Sequence, residues 1–344
     1  MRAVGLQTHI WANNTRTTLL LMGFPVMLLV IVYGLILVLL GATGSDPGLS
    51  LADNFALAGS MMIGAAPLAL VVSGIWFVIA FFFNQTMVDA MTGARAVERR
   101  DAPELYNLLE NLAISRGMKT PTLRIIESDS LNAFASGIRE GQYSVSVTRG
   151  LMAALDRDEM EAVLAHELTH VINKDVRTMV VASIFAGIIT VLCEVMFRTL
   201  LYGGRGKDSK SSLPLMLIGL AIAGVGYLLA IVIRLMLSRT REYVADAGAV
   251  ELTKNPDAMI SALRKVSGRS TLPAPDEMQG MFLDNEKTGF IDALFATHPP
   301  IDKRIEALIR FGGGQDPGPW NGLATEASIG SAVPVTSSTA VPYT

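Results

Sequence analysis

The sequence predicts a mainly α-helical membrane protein in which a polar α+β part is inserted between hydrophobic segments. Three observations support this fold class. Hydrophobic residues make up 51% of the 344 residues and charged residues only 17%, below the share of about 25% that is usual for globular chains. The hydrophobic residues are concentrated in four long stretches. The polar sequence between these stretches carries helix caps and short alternating strands.

Composition excludes several other classes of protein. The net charge is −3, from 28 basic and 31 acidic residues, so nothing favours a nucleic-acid partner. Cys193 is the only cysteine, which excludes a disulfide scaffold and suits a reducing compartment. The high apolar content excludes intrinsic disorder for most of the chain.

The first two hydrophobic stretches are predicted transmembrane helices. No residue is charged between Arg16 and Asp46, or between Asp53 and Asp89, and about 20 apolar residues are enough to cross a bilayer as a helix. The alternative for the first stretch is a cleavable signal peptide. It is disfavoured because the apolar core is too long and a second span follows soon after.

The later two stretches raise the predicted number of spans to about four. Thr178–Phe197 is short and interrupted by Glu194, which predicts either a span or a helix half-buried against protein. Ser211–Ile233 is uncharged throughout and reads as a span. It contains small residues that let helices approach closely in lipid, namely Gly219, Gly224 and Gly226.

The placement of lysine and arginine predicts the orientation. Basic residues occur in the tail at 1–16 and in the segment 95–100, whereas the first loop, 41–54, has none. The tail and the segment after the second stretch are therefore predicted to be cytoplasmic. The loop 198–210 is also basic, which conflicts with an external position and leaves the depth of the later hairpin open.

Helix and strand signals divide the polar sequence. Asp101 is a candidate cap for a helix that Gly117 ends, and Asp156 or Asp158 can cap a second helix over 159–174. The remaining predicted segments are strands at 122–127 and 142–148, a small-residue strand or loop at 132–137, helices at 256–268 and 299–310, and a disordered tail at 312–344.

The predicted helix over 159–174 carries the motif His166-Glu167-Leu168-Thr169-His170. Histidines at i and i+4 project from one helical face, so both can bind a single Zn²⁺. Glu167 can then take a proton from water activated by the metal. The alternative is a chance pattern on a solvated helix face, but the motif sits on a capped amphipathic helix, which is the context that its chemistry requires.

A catalytic zinc site needs a third protein ligand. The position six residues beyond His170 is Val176, which excludes a third histidine there. Glu194 is disfavoured because a continuous helix would place it about 36 Å away. Glu242 is the better candidate, with Asp246 one turn later on the same face to accept the free N–H of a ligand histidine. The alternative is an ordinary charged helix face beside the membrane.

Four segments together resemble the HtpX family of bacterial heat-shock membrane metalloproteases, which is distantly related to the proteases that trim prenylated CaaX proteins. They are the His-Glu-Leu-Thr-His motif, Ser238–Ala249, Asn132–Gly137 and Thr297–Pro300. The resemblance covers about residues 1–311. Tyr243, where phenylalanine is more usual, and the long C-terminal tail depart from the family pattern.

The resemblance implies one zinc ion per chain, bound by His166, His170 and Glu242, with Glu167 as the base. It also implies about four membrane helices and a cytoplasmic α+β metalloprotease domain of the gluzincin type with a small sheet. The predicted organisation is an N-terminal hairpin at 1–90, the two parts of the protease domain at 91–177 and 236–311, a second hairpin at 178–235, and the tail at 312–344.

Further residues are assigned more loosely. His298 is either a structural residue at a helix entry or, as the resemblance suggests, a residue at the rim of the site that stabilises the oxyanion. Arg304 could pair with a nearby carboxylate and position that loop. Asn132, Ala133, Phe134 and Ala135 are the expected edge strand for an extended peptide substrate, with a tight turn as the alternative reading and strand 142–148 as the alternative edge.

The predicted function is a zinc endopeptidase of the bacterial inner membrane that cleaves misfolded membrane proteins at the cytoplasmic face. Its partners would be membrane-protein substrates and the lipid bilayer, with no nucleic acid and no predicted oligomeric state. The alternatives are a non-catalytic zinc-binding scaffold and a prenyl-protein protease, which would have more spans. A transporter is disfavoured because three of the four stretches lack ionisable residues.

Overall fold

The computed structural model describes residues 6–43, 49–203, 209–236, 239–267, 269 and 299–320. The predicted mainly α architecture with a small mixed sheet is confirmed. The elements in chain order are α1 (Leu6–Thr43), α2 (Leu51–Thr92), β1 (Arg95–Ala96), α3 (Pro103–Ser115), β2 (Thr122–Ile126), β3 (Ala133–Ser136), β4 (Ser144–Thr148), α4 (Arg149–Ala154), α5 (Arg157–Ile172), α6 (Asp175–Gly203), α7 (Ser209–Met236), α8 (Arg239–Thr253), α9 (Pro256–Val266) and α10 (Ile301–Gly312).

Three helices in the described part of the chain are long and apolar enough to cross a membrane. They are Met22–Thr43 within α1, Leu51–Thr92, and Asp175–Thr199 within α6. The fourth predicted stretch contains a shorter apolar helix, Leu213–Leu228, within α7. The helix α6 is partly buried against the other apolar helices, so the third stretch both meets the length of a span and contacts protein.

Close packing joins α1 to α6 and α7. The rings of Phe24 and Phe185 stack with their centres 4.0 Å apart. A Cβ on Gly219 would lie 2.6 Å from the carbonyl oxygen of Gly34, and one on Gly226 would lie 2.7 Å from Ile31. Two of the three glycines noted in the sequence, Gly219 and Gly226, therefore lie where the helices approach closely. A Cβ on Gly224 would meet no atom within 4 Å.

The sheet has the order β1-β2-β4-β3. β2 and β4 are parallel, with Leu123 opposite Val145, whereas β1 and β3 run antiparallel to their neighbours. The segment 132–137 therefore contains a strand, β3, at one end of the sheet. The helix α5 packs against β3 and β4 on one side and against α3, α8 and α9 on others. Leu164 and Leu168 are completely buried there, so α5 is the centre of the polar domain.

The cap predictions have different outcomes. Of the two predicted caps, Asp156 and Asp158, Asp156 caps α5 and forms a reciprocal capping box with Glu159. Asp101 does not cap α3, because Ala102 occupies that position and the Asp101 carboxylate accepts a hydrogen bond from the Glu98 backbone instead. Residues 313–320 of the predicted disordered tail have no helix or strand but contact the domain through Asp257 and Arg264, and residues 321–344 lie outside the described part.

A prediction about the end of α5 is also wrong. The expected continuous helix into the third hydrophobic stretch is interrupted at Asn173 and Lys174, where Lys174 has φ 60°. Apolar helix α6 then starts afresh at Asp175. Glu194 is still not a ligand candidate, since its exposed carboxylate pairs with Arg198. The break matters because it turns the chain beside the candidate site.

Candidate metal centre

Helix α5 places both histidines of the motif in the protein interior. His166 is fully buried and His170 is 5% exposed. Their rings are nearly perpendicular, with centres 4.8 Å apart, and their Nε2 atoms are 3.2 Å apart. The one-turn spacing therefore aims two imidazole nitrogens at a common point.

Helix α8 brings Glu242 to the same point. One carboxylate oxygen lies 3.6 Å from His166 Nε2 and the other 3.7 Å from His170 Nε2, and Glu242 is 1% exposed. Ligands arranged tetrahedrally at the Zn–N distance of about 2.0–2.1 Å lie about 3.3–3.4 Å from one another. The three observed separations are close to that value, so the donor set fits a small tetrahedral cation.

Outer carboxylates orient both rings. Asp246 Oδ1 is 3.0 Å from His166 Nδ1, and Asp175 Oδ2 is 3.1 Å from His170 Nδ1. A carboxylate beside each Nδ1 favours the tautomer with its proton on that nitrogen, which leaves both Nε2 lone pairs toward the carboxylate of Glu242. Three electron-rich atoms buried this close to one another repel unless a cation lies between them. The geometry thus fits a metal site, and no other cluster of this kind occurs in the described residues.

Arg304 supplies buried positive charge next to this cluster. Its guanidinium is fully buried and donates to both oxygens of Asp246, at 2.8 and 2.6 Å, while Nη1 lies 3.6 Å from Glu242. Burial alone would raise the pKa of Asp246, but Arg304 and His166 hold it below its ordinary value. Burial disfavours the protonated His166 ring, yet the Asp246 and Glu242 carboxylates raise its pKa to about 9 in the metal-free protein.

Glu167 lies on α5 between the two histidines and is 2% exposed. Burial raises the pKa of its carboxyl group, although both histidines and the backbone N–H of Ala135 partly oppose that shift. The Ala135 hydrogen bond joins Glu167 to strand β3. The carboxyl group is therefore a buried acid–base group fixed between the histidines and the outer strand of the sheet.

A glycine allows the two site helices to approach. A Cβ on Gly248 of α8 would lie 2.4 Å from Thr169 Cγ2 and 2.7 Å from Thr169 Oγ1, which is inside any normal contact distance. Thr169 is held in place, since it is 5% exposed and its hydroxyl donates to the Ala165 carbonyl at 2.8 Å. The missing side chain at 248 thus sets the spacing of the helices that supply the histidines and Glu242.

The structure brings together most, but not all, of the residues predicted from the sequence. His166, Glu167, His170, Glu242, Asp246 and Arg304 form one buried cluster. The side chains of Asn132, Ala133, Phe134 and Ala135 are buried on or beside β3. His298 lies outside the described residues. The sequence analysis did not identify Asp175 as a partner of His170, because the expected continuous helix would direct its side chain away from that histidine.

This protein is a multi-pass membrane metalloprotease. Its class is defined by a buried His-Glu-x-x-His helix, by a glutamate on a second helix as the candidate third ligand, and by several apolar helices. The sequence profile of Peptidase family M48 matches residues 99–311. The chain belongs to peptidase family M48.

Curated relatives agree with this assignment. The chain is 39% identical to a Protease HtpX homolog of Bacteroides fragilis over 90% of this chain and 100% of the relative. It is 36% identical to a Protease HtpX homolog of Streptococcus pyogenes over 88% of this chain and 99% of the relative. It is 35% identical to one of Streptococcus gordonii over 72% of this chain and 86% of the relative. The resemblance to HtpX proteases noted in the sequence is confirmed. Among solved structures, Ste24p of S. mikatae aligns with a TM-score of 0.43 and 18% identity over 87% of this chain and 66% of that chain.

Proposed function

We propose that this metalloprotease is a zinc-dependent endopeptidase that cleaves membrane proteins at the cytoplasmic face of the bacterial inner membrane, as part of stress quality control. The observation that carries the zinc assignment is the convergence of three buried donors, with Glu242 oxygens 3.6 and 3.7 Å from the two Nε2 atoms. Two histidines and one carboxylate are a donor set that catalytic zinc sites use.

The residues of this chain divide the work of hydrolysis. His166, His170 and Glu242 would hold one zinc ion, which supplies Lewis acidity toward the scissile carbonyl and lowers the pKa of water. Glu167 takes the proton of the attacking water and passes it to the leaving amine. Its burial favours the neutral acid that the second step needs, since burial raises the pKa of its carboxyl group.

The position of the centre supports membrane-protein substrates. His170 lies five residues before Asp175, where the apolar helix α6 begins, so the donors lie within about two helical turns of a span. An extended substrate would pair with the edge of β3, at Asn132 to Ala135, whose Ala135 N–H contacts Glu167. His298 would stabilise the oxyanion from the rim of the site.

The decisive experiment is to replace Glu167 and to measure activity and metal separately. Glu167→Gln in the detergent-purified full-length protein should abolish cleavage of a membrane-protein substrate yet retain zinc by elemental analysis. Glu161→Gln is the matched control on the same helix, because that side chain is only half-buried and is not part of the cluster. Full activity of Glu167→Gln would reject the assigned base.

The third ligand is tested in the same preparation. Glu242→Ala should bring zinc well below one equivalent per chain, whereas Glu251→Ala, an exposed residue of the same helix, should not. Unchanged zinc in Glu242→Ala would point to another ligand. Zinc binding without chelator-sensitive cleavage would indicate a scaffold instead, and cleavage restricted to prenylated peptides would indicate a prenyl-protein protease.

A further inference from the structure

A cavity of about 550 Å³ lies apart from the metal donors, between α2 at Phe81, the α3–β2 loop, the β3–β4 turn and the α5–α6 junction. Its volume is in the range of small-molecule sites. Four cationic side chains line it but only one acidic side chain, Glu140. The cations are Lys119, Arg139, Lys174 and Arg177.

These four cations have no acidic partner in the described part of the chain. No ion pair joins any of them to a described carboxylate, although most other arginines of the domain form such pairs. Lys174 and Arg177 are half-buried, so their charges are partly shielded from water. A cavity with an excess of unpaired cations is suited to an anion.

The backbone at the junction also points to this cavity. Lys174 has φ 60°, in the left-handed region that glycine and asparagine adopt more readily than lysine. This conformation turns the chain between α5 and α6 and leaves the Lys174 side chain on the cavity wall. A left-handed residue commonly ends a helix, as Lys254 also does after α8, and here that helix end places a cation on the cavity wall.

The cavity adjoins two apolar helices. Phe81 of α2 forms part of its wall, and Arg177 belongs to the first turn of the apolar helix that begins at Asp175. Phe82 and Phe83 beside it are 55% and 56% exposed on the outer surface of α2. The Arg139 guanidinium lies 5.8 Å from the centre of the Phe82 ring. Cationic and lipid-facing aromatic groups thus meet at one opening.

We infer that this cavity binds the phosphate headgroup of an anionic phospholipid, with the cations around the phosphate and the acyl chains along the exposed phenylalanines of α2. Basic pockets at the membrane surface recognise anionic lipids in this way. A free phosphate ion would satisfy the cations equally well, but it would leave the adjoining exposed aromatic surface without a role.

The test uses the full-length protein in a nonionic detergent, titrated with phosphatidylglycerol or phosphatidylcholine and followed by native mass spectrometry. The variant Lys174→Asn/Arg177→Gln removes two cavity charges, and asparagine tolerates the left-handed backbone. The control Arg95→Gln/Arg100→Gln removes the same charge from exposed positions after α2, outside the cavity. Neither variant changes a proposed metal ligand, and binding is measured without reference to proteolysis.

The cavity variant should bind phosphatidylglycerol about 30-fold more weakly, from about 1 kcal/mol for each charge removed. The control should change less than about twofold, and phosphatidylcholine should bind weakly to all forms. If the cavity variant does not fold, as judged by its melting temperature, Arg139→Gln at an exposed position should still weaken binding several-fold. Equal loss in both double variants, or no preference for phosphatidylglycerol in the wild type, would overturn the site. Displacement of the lipid by millimolar inorganic phosphate would overturn the lipid assignment in favour of a free anion.

Discussion

Gly248→Ala is expected to inactivate the protease although residue 248 contacts neither substrate nor metal. The new Cβ would lie 2.4 Å from Thr169 Cγ2 and 2.7 Å from Oγ1, whereas carbon atoms pack at about 3.5–4.0 Å. Both γ positions of Thr169 are affected, so rotation of its side chain does not relieve the overlap. Helix α8 therefore has to move about 1 Å away from α5.

That displacement acts on the metal centre because Glu242 and Gly248 share one helix. A 1 Å shift directly away from α5 would increase the distance of the carboxylate from the two Nε2 atoms from 3.6–3.7 Å to at most about 4.6–4.7 Å. Overpacking of this kind costs about 1–3 kcal/mol of stability, and a misplacement of about 1 Å can lower kcat/KM about 100-fold. Zinc affinity should fall together with activity.

The assay is zinc content, melting temperature and cleavage rate of the purified variant. The control Gly187→Ala adds a methyl group where no atom lies within 4 Å and should be close to neutral. Thr169→Ala combined with Gly248→Ala removes the two close γ atoms and leaves Thr169 Cβ at 3.1 Å, so it should restore part of the activity. Wild-type zinc content and rate in Gly248→Ala alone would refute the argument that helix spacing sets the ligand geometry.

Three further outcomes are expected. Asp175→Asn should lower zinc affinity about 10–100-fold, because its carboxylate orients His170, a proposed zinc ligand; equilibrium competition with a chelator measures this, and unchanged affinity would contradict it. Arg304→Met should destabilise the protein by about 3–5 kcal/mol, because the buried Asp246 carboxylate loses the guanidinium that donates to both of its oxygens and keeps only the His166 ring as a partner; denaturant unfolding against full-length wild type measures this, and an unchanged unfolding free energy would contradict it. Asp316→Asn should cost only about 0.2–1 kcal/mol, because its pair with Arg264 lies at the surface and is partly exposed to water. Arg264 lowers the pKa of Asp316. The stabilisation from this pair should therefore be fully present above the ordinary pKa of the carboxyl group and should disappear as the pH falls through the lowered pKa of the folded state. A stability difference between variant and wild type that does not depend on pH would contradict this.

Local signals in the sequence were sufficient for the elements that carry the chemistry. The i and i+4 spacing of His166 and His170 specifies a shared helical face because the helix repeats every 3.6 residues. Asp156 and Glu159 mark the start of that helix through a capping box that involves only four consecutive residues. The uncharged stretches were equally readable, since bilayer thickness sets the minimum length of a span.

Contacts between distant segments were not readable in this way. Asp175 reaches His170 only because the chain turns at Asn173 and Lys174, and lysine gives no sequence signal for a left-handed conformation. The segment 313–320 looked disordered, yet Asp316 pairs with Arg264 and the Arg269 guanidinium lies 4.3 Å from the centre of the Trp320 ring. The conformation of this segment depends on contacts with Arg264 and Arg269, about 50 residues earlier in the chain, and not on its own composition.

By itself, the sequence determined which residues of this protein can bind a metal and move a proton, because those properties depend on side-chain chemistry and on spacing within one helix. Only the tertiary structure decided that Glu242 meets the two imidazoles, that Arg304 neutralises the carboxylates behind them, and that Gly248 lets the helices close. These contacts join residues far apart in the chain, and their distances follow from how whole helices pack.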